Sequence, residues 1–377
     1  MSNTKLELTW IGKDTQPRVE PRILIEDKEK SYGDSNTENM LIHGDNLLAL
    51  KALEEKFTGK IKCIYIDPPY NTGSAFEHYD DNLEHSTWLN LMKMRLKILK
   101  KLLSKDGVIC MHCDDSEQPY FKVICDEEFG RENFLTMLTI ETGEVFGAKA
   151  SNIDKNFVKV KDYVLIYVLN KTENFKIKPL WTKTPEMFDS HYSYYIKDMK
   201  KSSLIEILKK QEWIKNLFEL YGINLSLANI SKMMELNTKF KDYINNDLSM
   251  YIYQDQPFSN QLDESIIKKF DNNEIIRYRE LLLFRTTSGS IRYYKAFSDA
   301  MHYTDDYESE YRRSTARGDL WKNFHIDMRN INKEGNVIFK ASKKPERLIR
   351  DLLYSFSEKG DYILDSFLGS GTTCAVA

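Results

Sequence analysis

Two short stretches carry residues whose types and spacing suit chemistry on a small planar ligand. The first is "DPPY", Asp67 to Tyr70, which closes the apolar run "IKCIYI". Pro68 and Pro69 cannot donate to a ladder, so a strand must end there, on a stiff backbone whose carbonyls remain as acceptors. Asp67 adds a carboxylate acceptor beside the Pro68 carbonyl, and Tyr70 offers a flat apolar face. Two acceptors and an aromatic plate suit a planar ring bearing an exocyclic NH2. The acceptors take its two hydrogens and the plate stacks on the ring, a contact worth about 1–3 kcal/mol for a nucleobase. Standing alone, the tetrapeptide would serve equally as a strand-ending turn.

The second stretch is "DSFLGSGTT", Asp365 to Thr373, which follows the apolar "YIL". Gly369 and Gly371 let a ligand approach the backbone closely, and the residues after them open a helix. A third glycine at the dinucleotide position is absent, as is the Gly-Lys-Ser/Thr of a Walker loop. The spacing therefore suits a nucleoside cofactor without a pyrophosphate better than NAD or ATP. The chain stops six residues after Gly371.

The surrounding elements alternate. "NMLIHGDNLLALKALEEKF" reads as a short strand, a turn at Gly44–Asp45 and a helix with apolar positions 47, 48, 50 and 53. "IKCIYI" is the next strand, followed by an amphipathic helix in "HSTWLNLMKMRLKILKKLLSKDG", with Ser86 as its N-cap and Gly107 past its last turn. "GVICMHCDD", "QPYFKVICDEEFG" and "DYVLIYVLN" continue as strand, helix and strand. Such alternation predicts a parallel, doubly wound sheet. Residues 1–38 read as a polar arm, 39–170 as the first half of this α/β domain, and 171–310 as an inserted, mostly helical region rich in Lys, Asn, Tyr and Ile. Residues 311–377 restore the sheet with a helix, a strand and the glycine loop.

Composition sets broad limits. Hydrophobic residues make up 41% and charged residues 29% of the 377, ordinary for a globular protein. No apolar run reaches the length of a membrane span, and the N-terminus lacks a signal-peptide layout, which predicts a cytoplasmic protein. A net charge of −3 neither demands nor excludes nucleic acid, because binding needs only a local positive face. Five cysteines predict no disulfides in that compartment. Cys110, His112 and Cys113 invite a metal reading, but on a strand 110 and 112 share one face while 113 points away, and no second pair stands at zinc spacing. No metal is expected.

Taken in order, "LIHGDNLLALKAL", "IDPPYNTG", "EHSTWLNLMKMRLKILKKLLSKDGVICMHCDDSE", "DEEFGRENF", "GDLW", "KKPERLI" and "LDSFLGSGTT" resemble site-specific DNA methyltransferases of the β class. The likeness is greatest to the modification (Mod) subunits of type III restriction–modification systems. It covers roughly residues 5–170 and 311–377 and leaves the middle for target recognition. In that class the catalytic motif precedes the cofactor motif, a circular permutation of the usual order that keeps the order of strands in the sheet.

The resemblance implies a permuted Rossmann-like fold, S-adenosylmethionine as methyl donor, and N6 of a flipped adenine in double-stranded DNA as acceptor. Asp67, Pro68, Pro69 and Tyr70 would be catalytic. Phe367, Gly369, Gly371 and Thr372 would lie along the donor, with Asp365 in the same motif. Lys344 and Pro345 would line its methionine end, and Asp45 would lie near its other side unless it is simply a helix N-cap. Asp rather than Ser at the first catalytic position favours adenine N6 over cytosine N4. His78, His85 and His112 receive no role as bases, since the leaving proton can pass to Asp67 or water; His85 reads as part of a helix start. Phe76, Tyr79 and Trp88 either flank the base or pack in the core. The basic stretches "KDMKKSSLIEILKK" and "YRRSTARGDLW" are candidates for phosphate contacts. A homodimer and a restriction subunit are the implied protein partners. The family's next helix, and a following strand with an acid for the ribose hydroxyls, do not fit after Ala377. An alternative expectation is therefore a DNA-binding subunit that is catalytically impaired or completed by another polypeptide.

Overall fold

The computed structural model describes residues 7–377 apart from 16, 35, 72–83, 146–156, 263, 268–269, 271–273, 330 and 340–342. His78, Phe76 and Tyr79 lie outside the described residues. The chain divides into two units, Met1–Pro179 with Arg317–Ala377, and Leu180–Ala316.

The first unit opens with α1 (Asn46–Phe57), β1 (Ile61–Ile66), α2 (His85–Leu102), β2 (Leu103–Cys113), α3 (Gln118–Phe129), β3 (Phe134–Glu141) and β4 (Lys161–Val168). Residues 39–44, expected to include a strand, run as irregular backbone. The cap of α2 is Glu84, whose carboxylate accepts from the Ser86 amide at 3.1 Å, so Ser86 lies inside the helix. Gly107 does not end that helix but sits within β2, where the pairing with β1 shifts register. A Cβ there would come within 2.9 Å of the Ile61 and Ser104 carbonyls, and that crowding is what demands glycine.

The second unit contains β5 (Trp181–Lys183), β6 (Tyr194–Lys197), β7 (Lys200–Ser203), α4 (Leu204–Lys209), α5 (Glu212–Leu220), α6 (Leu227–Leu236), α7 (Thr238–Asp242), β8 (Ile252–Pro257), α8 (Glu264–Ile267), β9 (Ile275–Tyr278), β10 (Leu281–Arg285), β11 (Ile291–Ala296), β12 (Met301–Tyr303) and β13 (Tyr311–Ala316). The expectation of a mostly helical insert at 171–310 is corrected. An antiparallel sheet in the order β7-β6-β8-β11-β10-β9 and a smaller one in the order β12-β13-β5 make it a mixed unit. Its core is built by Leu204, Leu208, Ile214, Phe218, Ile230 and Phe240 from the helices, with Ile252 and Phe297. Arg312 and Arg313 of the second basic stretch are committed inside this unit. Arg312 donates to the Thr184 carbonyl at 2.9 Å and Arg313 to Asp189 at 2.9 Å. Lys197, Lys200, Lys209 and Lys210 of the first basic stretch are exposed.

The chain then returns through β14 (Leu320–Trp321), α9 (Phe324–Met328), α10 (Glu346–Phe356), β15 (Tyr362–Leu364) and α11 (Thr372–Val376) to complete the first unit. Its sheet runs β14-β3-β4-β2-β1-β15. The last strand lies parallel to the first, with Cys63 opposite Ile363 and Ile64 opposite Leu364. This is the permuted order in three dimensions: two motifs about three hundred residues apart emerge from neighbouring strands at the same edge of the sheet, where open α/β sheets bind ligands. The sheet is not wholly parallel, since β4 runs antiparallel to both β2 and β3. One face is sealed by Leu50, Leu53, Trp88, Met92, Leu96 and Phe121, among others. The polar arm is partly docked here too: Leu8 and Trp10 pack against this core, and Lys13 is buried between Glu7 and Glu127 at 2.8 and 2.9 Å. No described helix is long and apolar enough to cross a membrane.

Candidate active site

Asp67 leaves β1 directly after four fully or nearly fully buried residues, Cys63 to Ile66, so the strand fixes its position rigidly. The prolines then turn the chain out of the sheet. Trp88, 1% exposed and edge-on to Phe121, donates from Nε1 to the Pro69 carbonyl at 2.8 Å. Trp88 is therefore a core residue that clamps the turn, not a flank for a base. Asn71 adopts φ 57 and donates to Glu117, which also meets His85 Nδ1 at 3.0 Å. His85 opens α2, as its place in the sequence predicts.

The Asp67 carboxylate is half satisfied. Oδ2 accepts from Lys344 Nζ at 2.6 Å, whereas Oδ1 is buried with no hydrogen-bond partner among the described residues. Orphaned buried acceptors are rare, and this one is available to a hydrogen-bond donor from outside the described residues. The Tyr70 ring lies beside this pair, its centroid 4.9 Å from Lys344 Nζ, and its buried hydroxyl lies near the Asp67 carboxylate without reaching hydrogen-bond geometry. Burial, then the charges of Asp67 and Asp162, push the Tyr70 phenol well up, so it stays neutral.

Behind Tyr70 lies a polar floor that motif reading missed. His112 is fully buried, with Nδ1 2.9 Å from the Tyr65 hydroxyl and its ring 5.9 Å from that of Tyr70. Its Nε2 faces Asp162 at 3.7 Å, an electrostatic contact rather than a hydrogen bond. Lys159 ties Asp162 to Asp114 at 3.1 and 2.8 Å. Burial alone would raise the Asp162 carboxyl; His112, Lys344 and Lys159 outweigh it and hold the group well below the usual carboxylate range. The only sequence signal was three polar residues at the ends of otherwise apolar strands. Cys110 and Cys113 are buried free thiols, and the described residues form no group able to hold a metal.

Asp365 ends β15 as Asp67 ends β1. Its Oδ1 accepts from the Phe367 amide at 2.9 Å and its Oδ2 from the Thr373 hydroxyl at 2.6 Å. Burial lifts its pKa to about 6 against those hydrogen bonds, with the Asp67 charge adding to the rise and Lys344 opposing it. Gly369 and Gly371 take φ 56 and 82, a left-handed conformation that other residues resist. Thr372 opens α11 and donates to the Lys344 carbonyl at 3.2 Å, binding the glycine loop to the Lys344–Pro345 segment, where Pro345 caps α10. Asp45 proves to be an N-cap, accepting from the Leu48 amide at 3.1 Å, and it also faces the cavity. Beside it Asn46, which sequence reading passed over, donates to the Ser366 carbonyl at 2.8 Å and accepts from the buried Arg95 at 2.6 Å.

Some of these residues line a cavity of about 720 Å³, whose walls include Asp45, Asn46, Pro69, Asp365, Phe367 and Gly369. That lies within the range of small-molecule sites, about 300–1,000 Å³. Apolar walls, a close-approach glycine loop and a buried carboxyl suit a nucleoside-bearing ligand with a cationic amino group.

A Rossmann-like sheet in permuted chain order, with a glycine loop beside an Asp-Pro-Pro-Tyr strand end, defines the class. The family model described as DNA methylase matches residues 61–377, and the chain belongs to that family. It is 34% identical over 354 residues to a Haemophilus influenzae protein described as the probable type III restriction-modification enzyme HindVI Mod subunit, covering 90% of this chain and 47% of the relative. It is 27% identical to the type III EcoPI Mod subunit of Escherichia phage P1, over 99% of this chain and 61% of that one. The chain thus spans roughly half to three-fifths of the length of these relatives. Among solved structures, the cytosine-N4-specific PvuII DNA methyltransferase aligns over 36% of this chain and 50% of its own at 18% identity and a TM-score of 0.26, a distant likeness.

Proposed function

We propose that this chain transfers a methyl group from S-adenosylmethionine to N6 of a flipped adenine in double-stranded DNA, as the methyltransferase part of a type III modification subunit. The observation that carries the reading is the Asp67 carboxylate, held rigidly at a strand end with one buried oxygen unsatisfied, beside a nucleoside-sized cavity.

The acceptor amine is a poor nucleophile because its lone pair is delocalised into the ring. Asp67 Oδ1 and the Pro68 carbonyl accept its two hydrogens, drawing the nitrogen toward tetrahedral geometry and freeing the lone pair. Tyr70 stacks on the extruded base and excludes water from its face. When bound, the cofactor would supply an electrophilic methyl carbon, whose bond to the sulfonium breaks as the bond to N6 forms, leaving a neutral thioether. Asp365, Phe367, Gly369, Gly371 and Thr372 would hold it, with Lys344 and Pro345 toward its amino-acid end and Asp45 toward its other side. Much of the acceleration is positional, because β1 and β15 bring donor and acceptor sites to adjacent strand ends. The proton released from the methylated amine passes to Asp67 or to water.

The partners that go with this reading are DNA, met by the Leu180–Ala316 unit for target recognition, a restriction subunit, and a second copy of the chain; the compartment is the cytoplasm. Incubating the chain with labelled S-adenosylmethionine and mixed-sequence duplex DNA tests the reading, with mass spectrometry of the digested nucleosides. N6-methyladenine is the expected product. N4-methylcytosine would change the acceptor, and cofactor and DNA binding without transfer would make the chain a binding subunit completed by another polypeptide.

A further inference from the structure

The β6–β7 hairpin of the Leu180–Ala316 unit crowds Lys197, Lys200 and Lys201 together at its tip. Asp198 and Met199 make the turn, both at positive φ, 49 and 60, the hand that a two-residue hairpin turn requires. So short a turn fixes the register, which sets Lys197 directly opposite Lys200 and Lys201 opposite Ile196. Like charges that face each other across a strand pair destabilise it. All three lysines are exposed, and among the described residues none of them is paired with a carboxylate, Asp198 included.

Two of these side chains rest on aromatic rings instead. Lys197 Nζ lies 5.4 Å from the Tyr251 ring centroid, and Lys201 Nζ lies 5.0 Å from that of Tyr194, 5.9 Å from Phe284 and 6.0 Å from Tyr294. A ring face steadies an ammonium without cancelling its charge. Both amines are therefore ordered in advance and lose less freedom when they engage an anion. The rest of the sheet shares the bias. Arg277, Arg285, Arg292 and Lys295 stand on β9, β10 and β11, and the one acid on its strands, Asp255, is paired with Arg292. Since the whole chain carries a net charge of −3, this positive field is local to the unit. Lysines on an edge strand also keep foreign strands from pairing there, and β7 is the edge of its sheet. That protection accounts for Lys200 and Lys201 but not for Lys197, which stands on β6, between β7 and β8.

We propose that the β6–β7 hairpin grips the sugar–phosphate backbone of duplex DNA, with Lys197, Lys200 and Lys201 set against its phosphates. A duplex backbone presents the closely spaced anions that a row of unpaired amines on a rigid hairpin fits. The inference names the surface through which this unit meets DNA and rests on the DNA-binding part of the proposed function. Contacts of this kind fix where the duplex lies on the unit and carry no sequence information themselves.

Lys200→Glu separates this role from a structural one. Glutamate keeps a charge on the edge strand and gives Lys197 an opposite charge across the hairpin, so thermal denaturation should show a fold at least as stable as wild type. Affinity for a mixed-sequence duplex, read by fluorescence anisotropy over a range of salt, is expected to fall about tenfold, and the slope of log affinity against log salt to flatten by about one. Lys197→Gln removes a charge from the inner strand, leaves the edge lysines in place, and should flatten the slope likewise. Lys232→Glu makes the same charge change as Lys200→Glu at an exposed position on α6 and should bind close to wild type. Unchanged affinity in Lys200→Glu, or an equal loss in Lys232→Glu, overturns the assignment. Should Lys200→Glu misfold, Lys197→Gln decides, because an unchanged slope there overturns it too. A wild-type chain that binds no duplex would instead overturn the DNA reading on which the assignment rests.

Discussion

Trp88 Nε1 donates to the Pro69 carbonyl at 2.8 Å, so a buried side chain of α2 holds the turn that ends β1. Trp88→Phe keeps most of the ring packing against Phe121 and deletes that bond. The expected cost is about 1–2 kcal/mol of stability, from a lost hydrogen bond and a small void. Transfer should fall more than stability alone accounts for, because Pro68 and Tyr70 lose their fixed bearing. Chemical denaturation read beside single-turnover transfer checks this; equal activity per folded molecule would show that the clamp does not position the site.

Asp67→Ala removes both acceptor oxygens and leaves Lys344 without its carboxylate. Transfer is expected to drop by about a hundredfold or more, the scale seen when an active-site hydrogen-bonding group is lost. DNA affinity, measured by fluorescence anisotropy, should stay near wild type, since phosphate contacts supply most non-specific binding. A variant that still transfers at a tenth of the wild-type rate would remove Asp67 from the chemistry.

The Asp-Pro-Pro-Tyr turn and the glycine loop were legible in the sequence because each is written in consecutive residues, and because prolines and glycines state their backbone needs outright. Strand direction was not legible. The run "DYVLIYVLN" is as apolar as a buried parallel strand, yet β4 lies antiparallel between β2 and β3, since hydrophobic pattern records burial and not polarity of the chain. The Leu180–Ala316 unit hid its strands for another reason. They are only three to six residues long, and their half-buried Tyr and Lys residues blur the period-two signal beside the clearer helical periods of α5 and α6. The polar floor of Tyr65, His112 and Asp162 joins residues up to 97 positions apart, a relationship that only the sheet register creates.

Asn46 links three elements through one side chain, donating to Ser366 and accepting from Arg95, which also lies 3.7 Å from Asp45. Asn46→Ala frees the Ser366 carbonyl and strips a partner from a guanidinium that is only 8% exposed. The expected destabilisation is about 1–3 kcal/mol. The loop from Ser366 to Gly369 should lose its register against α1, so S-adenosylhomocysteine binding weakens by more than tenfold while methylation at saturating donor recovers. Calorimetry and saturation kinetics distinguish this from a general loss of fold.

Asp365 predicts a pH dependence of unusual sign for a carboxylate. Burial, with the neighbouring Asp67 charge, lifts its folded pKa from 3.8 to about 6 despite its two hydrogen bonds. Between those values the folded chain holds a proton that the unfolded chain has released, so stability from this group is fully present below 3.8 and is lost as pH rises through 6. Asparagine has the same shape and does not ionise. The stability of wild type minus that of Asp365→Asn should therefore fall by about 2–3 kcal/mol between acid and neutral pH. Urea titrations of both proteins across that window measure the difference directly, and a flat difference would show that folding leaves the Asp365 pKa unchanged. The same group gives binding the opposite slope. A cationic amino group in the cavity favours the ionised carboxylate, so S-adenosylhomocysteine should bind more weakly as pH falls below about 6 in the wild type. That acid-side loss should vanish in Asp365→Asn.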